Sequence, residues 1–346
     1  MLRSCGSVCI GYSGGVDSVF LARVAADALG AERVLAVTGR SAAYPAVQLE
    51  QARECARRFG IPHLEIWTDE LSDPNYAANP TNRCYFCKTE LWGRLQALAA
   101  ERGLAVVLDG SNADDVADFR PGMQAAREHG VRSPLLEVGL TKAEIRALSR
   151  RLGLPTWDQP ASPCLSSRLP YGLAVTPERL QQVERAEEAL RALGFREFRV
   201  RHHGDAARLE LAPGELARAA AAAPEIATRV ASAGFTSVLL DVEGYRRGAL
   251  NEALGMIQLA GTGAGRPQAA GRLLARAGLA RTRVRAAGHA LDIAAVAAPA
   301  SALDTLAGLA PALRALGFRF IALELTGAAR KPRHDGARVA HAAAGA

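Results

Sequence analysis

Lysine is almost missing from this 346-residue chain, occurring only as Lys88, Lys142 and Lys331 within a Lys+Arg total of 42. Basic character therefore rests on arginine, and it is unevenly placed. Residues 256–346 hold 12 Lys+Arg against 4 Asp+Glu, so the formal charge of +7 belongs to that segment and residues 1–255 are close to neutral. Such a body lacks the basic surface that tRNA or DNA binding requires, and no nucleic-acid partner is expected. Six cysteines are too few for a disulfide scaffold in so long a chain. No run of about 18 apolar residues appears, which excludes a membrane span. The start, MLRSCGSVCI, lacks the apolar core and cleavage site of a signal peptide. Cytoplasmic residence is the expectation, and there a Cys-x-x-Cys pair binds metal or does redox chemistry.

What is present is enough apolar material, 49% of residues, to fill two or three domains. Residues 1–165 alternate β-rich runs with amphipathic stretches, the pattern of a doubly wound parallel α/β domain. Helices are predicted over 17–29, 46–59, 88–102 and 141–152, the last opened by a Thr141/Glu144 capping box. A proline-rich stretch, GLPTWDQPASPCLSSRLPYG, marks a boundary. A smaller α+β unit follows over 175–255. Residues 256–330 read as a degenerate repeat of it. RVRHHGDA at Arg199 matches RVRAAGHA at Arg283, and AGFTSVLLDVEG at Ala233 matches LGFRFIALELTG at Leu316, at separations of 84 and 83. The second copy puts Ala286 and Ala287 in place of His202 and His203, and Ala294 in place of Glu210. Residues 331–346 read as a disordered tail.

YSGGVDS, Tyr12 to Ser18, stands where the first strand meets a helix. Gly14 and Gly15 let the backbone approach phosphate, the helix amides point at it, and Ser13 and Ser18 add hydroxyls. Asp17 either bridges to phosphate through a divalent cation or caps the helix. The plain alternative is an ordinary glycine turn. These residues resemble the SGGxDS signature of the PP-loop ATP pyrophosphatases, which cleave ATP between the α- and β-phosphates, and GSNADD at 110–115 resembles that family's second ATP segment. The resemblance implies ATP and Mg2+ at Ser13, Gly14, Gly15, Asp17 and Ser18, with Thr38, Asn112 and Asp114 completing the nucleotide site.

Cys84 and Cys87, in TNRCYFCKTE, suit a redox pair, half a zinc site or two ligands of an iron–sulfur cluster. Cys164, in SPCLSSRLPYG, supplies a third thiol, whereas Cys5, Cys9 and Cys55 read as structural. Three thiolates with one open iron suit a [4Fe–4S] cluster. Together NRCYFCK, DGSNADD, DFRPG, SPCLSSRLPYG, VRHHGDAARLE and DVEGYRRGALNE resemble the LarE family of ATP-dependent sulfur transferases over residues 5–255. The resemblance implies adenylylation of a carboxylate of a pyridinium dicarboxylate mononucleotide and its conversion to a thiocarboxylate, on the way to the nickel-pincer nucleotide. It implies a cluster held by Cys84, Cys87 and Cys164 and fed by sulfide or another sulfur donor. It assigns Arg199, Arg201 and Arg208 to the substrate's anionic groups, Glu188 and Glu210 to the sulfur site, and Ser167 and Arg168 to the phosphates or the acyl-adenylate. A homo-oligomer is expected. Each residue also has an ordinary reading: alternating arginines form a solvated strand face, and Glu188 is a surface residue of a charged helix. Adjacent strand residues face opposite sides, so at most one of His202 and His203 meets a site. The rival functions are a tRNA thiolase of the same superfamily and a non-catalytic protein that binds adenine nucleotide and senses redox state.

Overall fold

The computed structural model describes residues 1–117, 121–246 and 265–326. The predicted tail and the ends of the 256–330 unit lie outside them. Four parallel strands, β1 (Val8–Gly11), β2 (Val34–Arg40), β3 (His63–Trp67) and β4 (Val106–Leu108), form the first sheet in the order β3-β2-β1-β4. Alternation along β1 sends Val8 and Ile10 to one core and Cys9 to another. The first core is covered by α1 (Val16–Leu29), α2 (Ala46–Arg58) and the capped helix Lys142–Arg151, the second by the helices Arg83–Glu101 and Pro121–Glu128. Helices on both faces make the domain doubly wound, as expected. Strand order reverses beside β1, between connections that run to β2 and to β4, and ligands of such sheets bind at that point.

One prediction fails here in an informative way. The third long helix begins at Arg83 rather than near Lys88, so Cys84 and Cys87 lie within its first two turns rather than ahead of it. Three residues apart on a helix, they share a face. The capping box is present: Thr141 Oγ1 accepts the Glu144 amide at 3.3 Å and Glu144 Oε2 accepts the Thr141 amide at 2.9 Å.

The second sheet has six strands in the order β5-β6-β7-β10-β9-β8, with β5 (Phe198–His203), β6 (Ala206–Leu211) and β7 (Ser237–Asp241) from one unit. The other half is β8 (Arg283–Ala287), β9 (Ile293–Ala297) and β10 (Phe320–Glu324). Each half is an antiparallel hairpin followed by a strand parallel to the hairpin's second member. The helices Pro177–Ala192, Ala223–Ala231, Arg266–Arg276 and Leu303–Arg314 bury one face of this sheet in a single apolar core. The hairpin connections differ: Gly204–Asp205 in the first half, Gly288–Asp292 in the second. The longer turn moves β9 along by three residues. Strand pairing therefore places Ala297 where Glu210 stands, which corrects the correspondence with Ala294 read from the sequence.

Candidate active site

After β1, Tyr12 to Gly15 turn the chain into α1. Gly14 has φ +66°, and a side-chain carbon there would lie 2.8 Å from Ala52 Cβ, so both the backbone and the closeness of α2 demand glycine. The Ser13 carbonyl is pulled to the protein side by Tyr44 Oη at 2.9 Å and Gln48 Nε2 at 2.7 Å. Ser18 Oγ accepts the Ser13 amide at 3.1 Å and lies 3.1 Å from Ser13 Oγ. The first amides of α1 remain for an anion. Asp17 does not cap the helix, since the N-cap is Gly15 and no side chain bonds there. One Asp17 oxygen pairs with Lys142, while Oδ1 is buried without a partner. An orphaned carboxylate oxygen beside a phosphate loop fits Mg2+.

The Gly110–Asp115 turn backs directly onto this loop. A side-chain carbon on Gly110 would lie 3.2 Å from the Ser18 amide nitrogen and 3.3 Å from Asp17 Cβ. Asn112 and Asp114 face protein partners. Asn112 Oδ1 accepts the Asp114 amide at 3.0 Å, and Asp114 Oδ2 accepts the Lys142 amide at 2.9 Å, which sets Lys142 opposite Asp17. Thr38 is buried too, donating to the Tyr12 carbonyl at 2.7 Å and meeting His63 Nε2 at 2.8 Å. Thr38 thus braces the start of the loop, Asn112 shapes its own turn, and Asp114 fixes the backbone at Lys142. Burial depresses the His63 pKa, with Glu65 opposing.

The three thiols come from two distant segments joined by buried hydrogen bonds. Arg83, at the start of the cysteine helix, donates to the Ser166 carbonyl at 2.9 Å and to Asn79 Oδ1. Asn79 Nδ2 donates to the carbonyls of Pro170 at 2.7 Å and Leu173 at 2.8 Å, and Tyr76 Oη lies 2.6 Å from Ser166 Oγ. Cys87 and Cys164 pack against the same small apolar cluster. Cys84 is exposed as a residue, yet desolvation around its thiol, and then the nearby Cys164, push its pKa up, with Arg83 opposing. Burial, then Glu70, and less strongly Cys164 and Cys84, push the Cys87 thiol well up. Among the described residues no three His, Cys, Asp or Glu side chains are close enough to hold a single ion.

Cys164 is also tied to the phosphate loop. The amide of its neighbour Leu165 donates to the Ala43 carbonyl at 2.8 Å, and Tyr44, next in the chain, holds Ser13. From the other side the second sheet grips the same segment. Arg168 forms a buried bidentate pair with Glu187 at 2.8 and 3.0 Å and donates to the Pro163 carbonyl at 2.7 Å. Ser167 Oγ donates to the Cys164 carbonyl at 2.7 Å, and Arg201 Nη1 donates to the Ser167 carbonyl at 2.8 Å. Arg199 donates to the carbonyls of Phe198 and Ala161. Arg201 and Arg208 flank Glu210, each at 2.8 Å, and Arg208 also pairs with Asp241. Burial opposes ionisation of Glu210, and the two arginines overcome it, holding its pKa below the usual carboxylate value.

These contacts revise the reading of several residues. Arg208 is 1% exposed and spent on Glu210, Asp241 and His203, so it offers no free fork to a substrate. Glu188 is exposed, and its neighbour Glu187 is the carboxylate that reaches the Cys164 segment. A signal existed: Leu180, Val183, Glu187 and Leu190 follow the spacing of one helix face, and all are buried. Arg83, Tyr76 and Asn79 were also missed, and short-range pattern gives no sign of partners some 90 residues away. His202 and His203 do face opposite sides. His202 Nε2 lies 2.9 Å from Gln182 Oε1, whereas His203 accepts from Arg208 Nε at 3.3 Å. A cleft of about 390 Å³ beside the cysteine helix is lined by Asp69, Glu70, Asp73 and Glu90, a lining that repels phosphate, and it does not touch the loop.

A glycine-bearing strand-to-helix loop at the switch point of a doubly wound sheet, with an aspartate oxygen left unpartnered beside it, defines a nucleotide-using enzyme of the PP-loop class. The family model described as NAD synthase matches residues 3–82. An uncharacterized protein of Synechocystis is 49% identical over 247 residues, 71% of this chain and 92% of that protein. The pyridinium-3,5-bisthiocarboxylic acid mononucleotide synthase of Lactiplantibacillus plantarum is 37% identical over 259 residues, 75% of this chain and 94% of that enzyme. A probable tRNA sulfurtransferase of Methanobrevibacter smithii is 30% identical over 116 residues, 33% of this chain and 29% of that protein. The chain belongs to the family of the pyridinium-3,5-bisthiocarboxylic acid mononucleotide synthases, the LarE-type ATP-dependent sulfurtransferases.

Proposed function

We propose that this chain uses Mg2+ and ATP to adenylylate a carboxylate of a pyridinium dicarboxylate mononucleotide and then replaces an oxygen of that group by sulfur, in the cytoplasm. The observation that carries this reading is the pair of ties on the Cys164 segment: Leu165 to Ala43 on the phosphate-loop side, and Ser166 to Arg83 on the Cys84/Cys87 side. A sulfur site fixed to an ATP site is what acyl activation followed by thiolation needs.

A carboxylate resists nucleophiles because its oxygen leaves badly. The α1 amides, Ser13 and Ser18 would hold the phosphates, and Asp17 with its unpartnered Oδ1 would hold Mg2+. The substrate carboxylate attacks the α-phosphorus and pyrophosphate departs. A sulfur nucleophile next adds to the acyl carbon, and AMP leaves carrying the oxygen. Cys84, Cys87 and Cys164 would hold a [4Fe–4S] cluster, which when bound supplies the sulfur, drawn from sulfide or a sulfur donor. Arg199 and Arg201, buried and bonded to the Ala161 and Ser167 carbonyls, would fix the Cys164 segment beside the substrate's anionic groups. The experiment is single-turnover mass spectrometry with Mg2+, ATP, the dicarboxylate mononucleotide and sulfide. The expected result is one AMP and one pyrophosphate for each oxygen replaced by sulfur. Pyrophosphate release with no sulfur in the product overturns the transfer step, and neither product overturns the whole reading.

A further inference from the structure

At the centre of the second sheet β7 and β10 run antiparallel, with Ala322 opposite Asp241, Leu323 opposite Leu240 and Glu324 opposite Leu239. The separation of 83 between the sequence copies makes Leu323 the counterpart of Leu240, Glu324 of Asp241 and Ala322 of Leu239. Leu240 thus pairs with its own counterpart, and the flanking pairs exchange under the same operation. That is the geometry of a two-fold axis through Leu240 and Leu323. Hydrogen bonds obey it: the Val242 amide donates to the Ile321 carbonyl at 3.0 Å and the Leu325 amide to the Val238 carbonyl at 2.9 Å, bonds that interconvert when each residue is swapped for its counterpart. The turns obey it as well. The Asp205 carbonyl accepts the Thr236 and Ser237 amides at 3.0 and 3.2 Å, and the Asp292 carbonyl accepts the Arg319 and Phe320 amides at 2.8 and 3.2 Å.

The copies have diverged most on the face away from the helices, although His202, which packs on the helix-covered side, is also replaced, by Ala286. Phe235 and Phe318 both stay buried in the helix-covered core. On the other face, register sets Ala295 and Ala297 where Arg208 and Glu210 stand, and Ala287 where His203 stands. We infer that residues 265–326 are a fused, site-less second copy of the 177–243 unit, bound where another chain's copy would bind. The β7 edge is a self-complementary docking surface, and the chain supplies its own partner for it. A bare edge of this kind invites pairing with any other strand, and the fused copy removes it. The copy also completes the charged network: Phe320, counterpart of Ser237, has its ring centroid 3.6 Å from the Arg208 guanidinium carbon.

The test keeps the full chain. With Leu240→Cys and Leu323→Cys together, oxidation is expected to link the two positions within one chain, read by peptide mapping against the unsubstituted chain. Mixing the two single variants is expected to give no link between chains, and such a link, or no link in the double variant, would overturn internal pairing. A second full-length protein carries Leu323→Pro, which removes the β10 amide at the axis, together with Leu240→Cys. Position 240 is then expected to link to itself across two chains, with twofold higher mass than the parent. A folded proline variant without that link would sink the self-complementary edge. Should the proline variant lose its circular dichroism, Leu323→Lys takes its place, since a charge buried in the shared apolar core disfavours internal docking while keeping the backbone amide.

Discussion

The Arg83 guanidinium donates to the Ser166 carbonyl at 2.9 Å, joining the helix that bears Cys84 and Cys87 to the segment that bears Cys164. Arg83→Met would strip a donor from two buried acceptors, Ser166 O and Asn79 Oδ1, at about 1–3 kcal/mol each. Urea unfolding should show the loss, and sulfur transfer should fall further than ATP–pyrophosphate exchange. Equal falls in both activities would mean that Arg83 serves the whole fold and not the sulfur site.

Glu187 and Glu188 offer a comparison between neighbours. Glu187→Ala leaves the buried Arg168 without its counter-ion and should cost roughly 3–5 kcal/mol. Glu188→Ala, on the exposed side of the helix, should stay within about 0.5 kcal/mol. Chemical denaturation of the two variants decides it. The reverse order would restore Glu188 to the site.

His202 gives a pH dependence. Burial, with Arg179 adding to it, lowers its pKa to about 4, so the folded state keeps the ring neutral where the unfolded chain, near pH 6.5, would take up a proton. The unfolded state therefore binds more protons below pH 6.5, and stability falls with pH from there down to about pH 4. The contribution amounts to roughly 3 kcal/mol across that window. His202→Gln should flatten this part of the curve relative to the parent protein, measured as unfolding midpoints at pH 7.5 and pH 4.5. An identical slope in the variant would assign the acid sensitivity to other groups.

Asp17→Asn removes the charge proposed to hold Mg2+ while keeping the shape of the loop. Pyrophosphate exchange should drop by about 10²-fold or more, because a preorganised electrostatic partner of the phosphates is lost. An Asn variant that exchanges at the parental rate would remove Asp17 from the metal site.

Much of the first domain was legible because its signals are local. The Ser13–Ser18 loop, the strand alternation around Val8 to Gly11 and the Thr141/Glu144 box all depend on residues within one turn of each other. The start of the cysteine helix was not legible, because Asn82 makes no side-chain cap and the first turn is fixed by Arg83 reaching Asn79 and Ser166. Arg208 misled for a related reason. Alternation correctly set it on the face shared with Glu210, and only the arrival of Phe320 from the far end of the chain shows that this part of the face is sealed. The repeat was visible as two short matches, but the offset of β9 depended on a turn length that the Ala/Gly-rich sequence conceals.

Anaerobic isolation followed by iron and sulfide analysis tests the convergence of Cys84, Cys87 and Cys164 most directly. About four iron and four acid-labile sulfide per chain are expected, falling to near zero in Cys84→Ala and in Cys164→Ala while both variants still exchange pyrophosphate. Zinc in place of iron, or a full iron content that survives Cys164→Ala, would contradict a three-cysteine cluster beside the ATP loop.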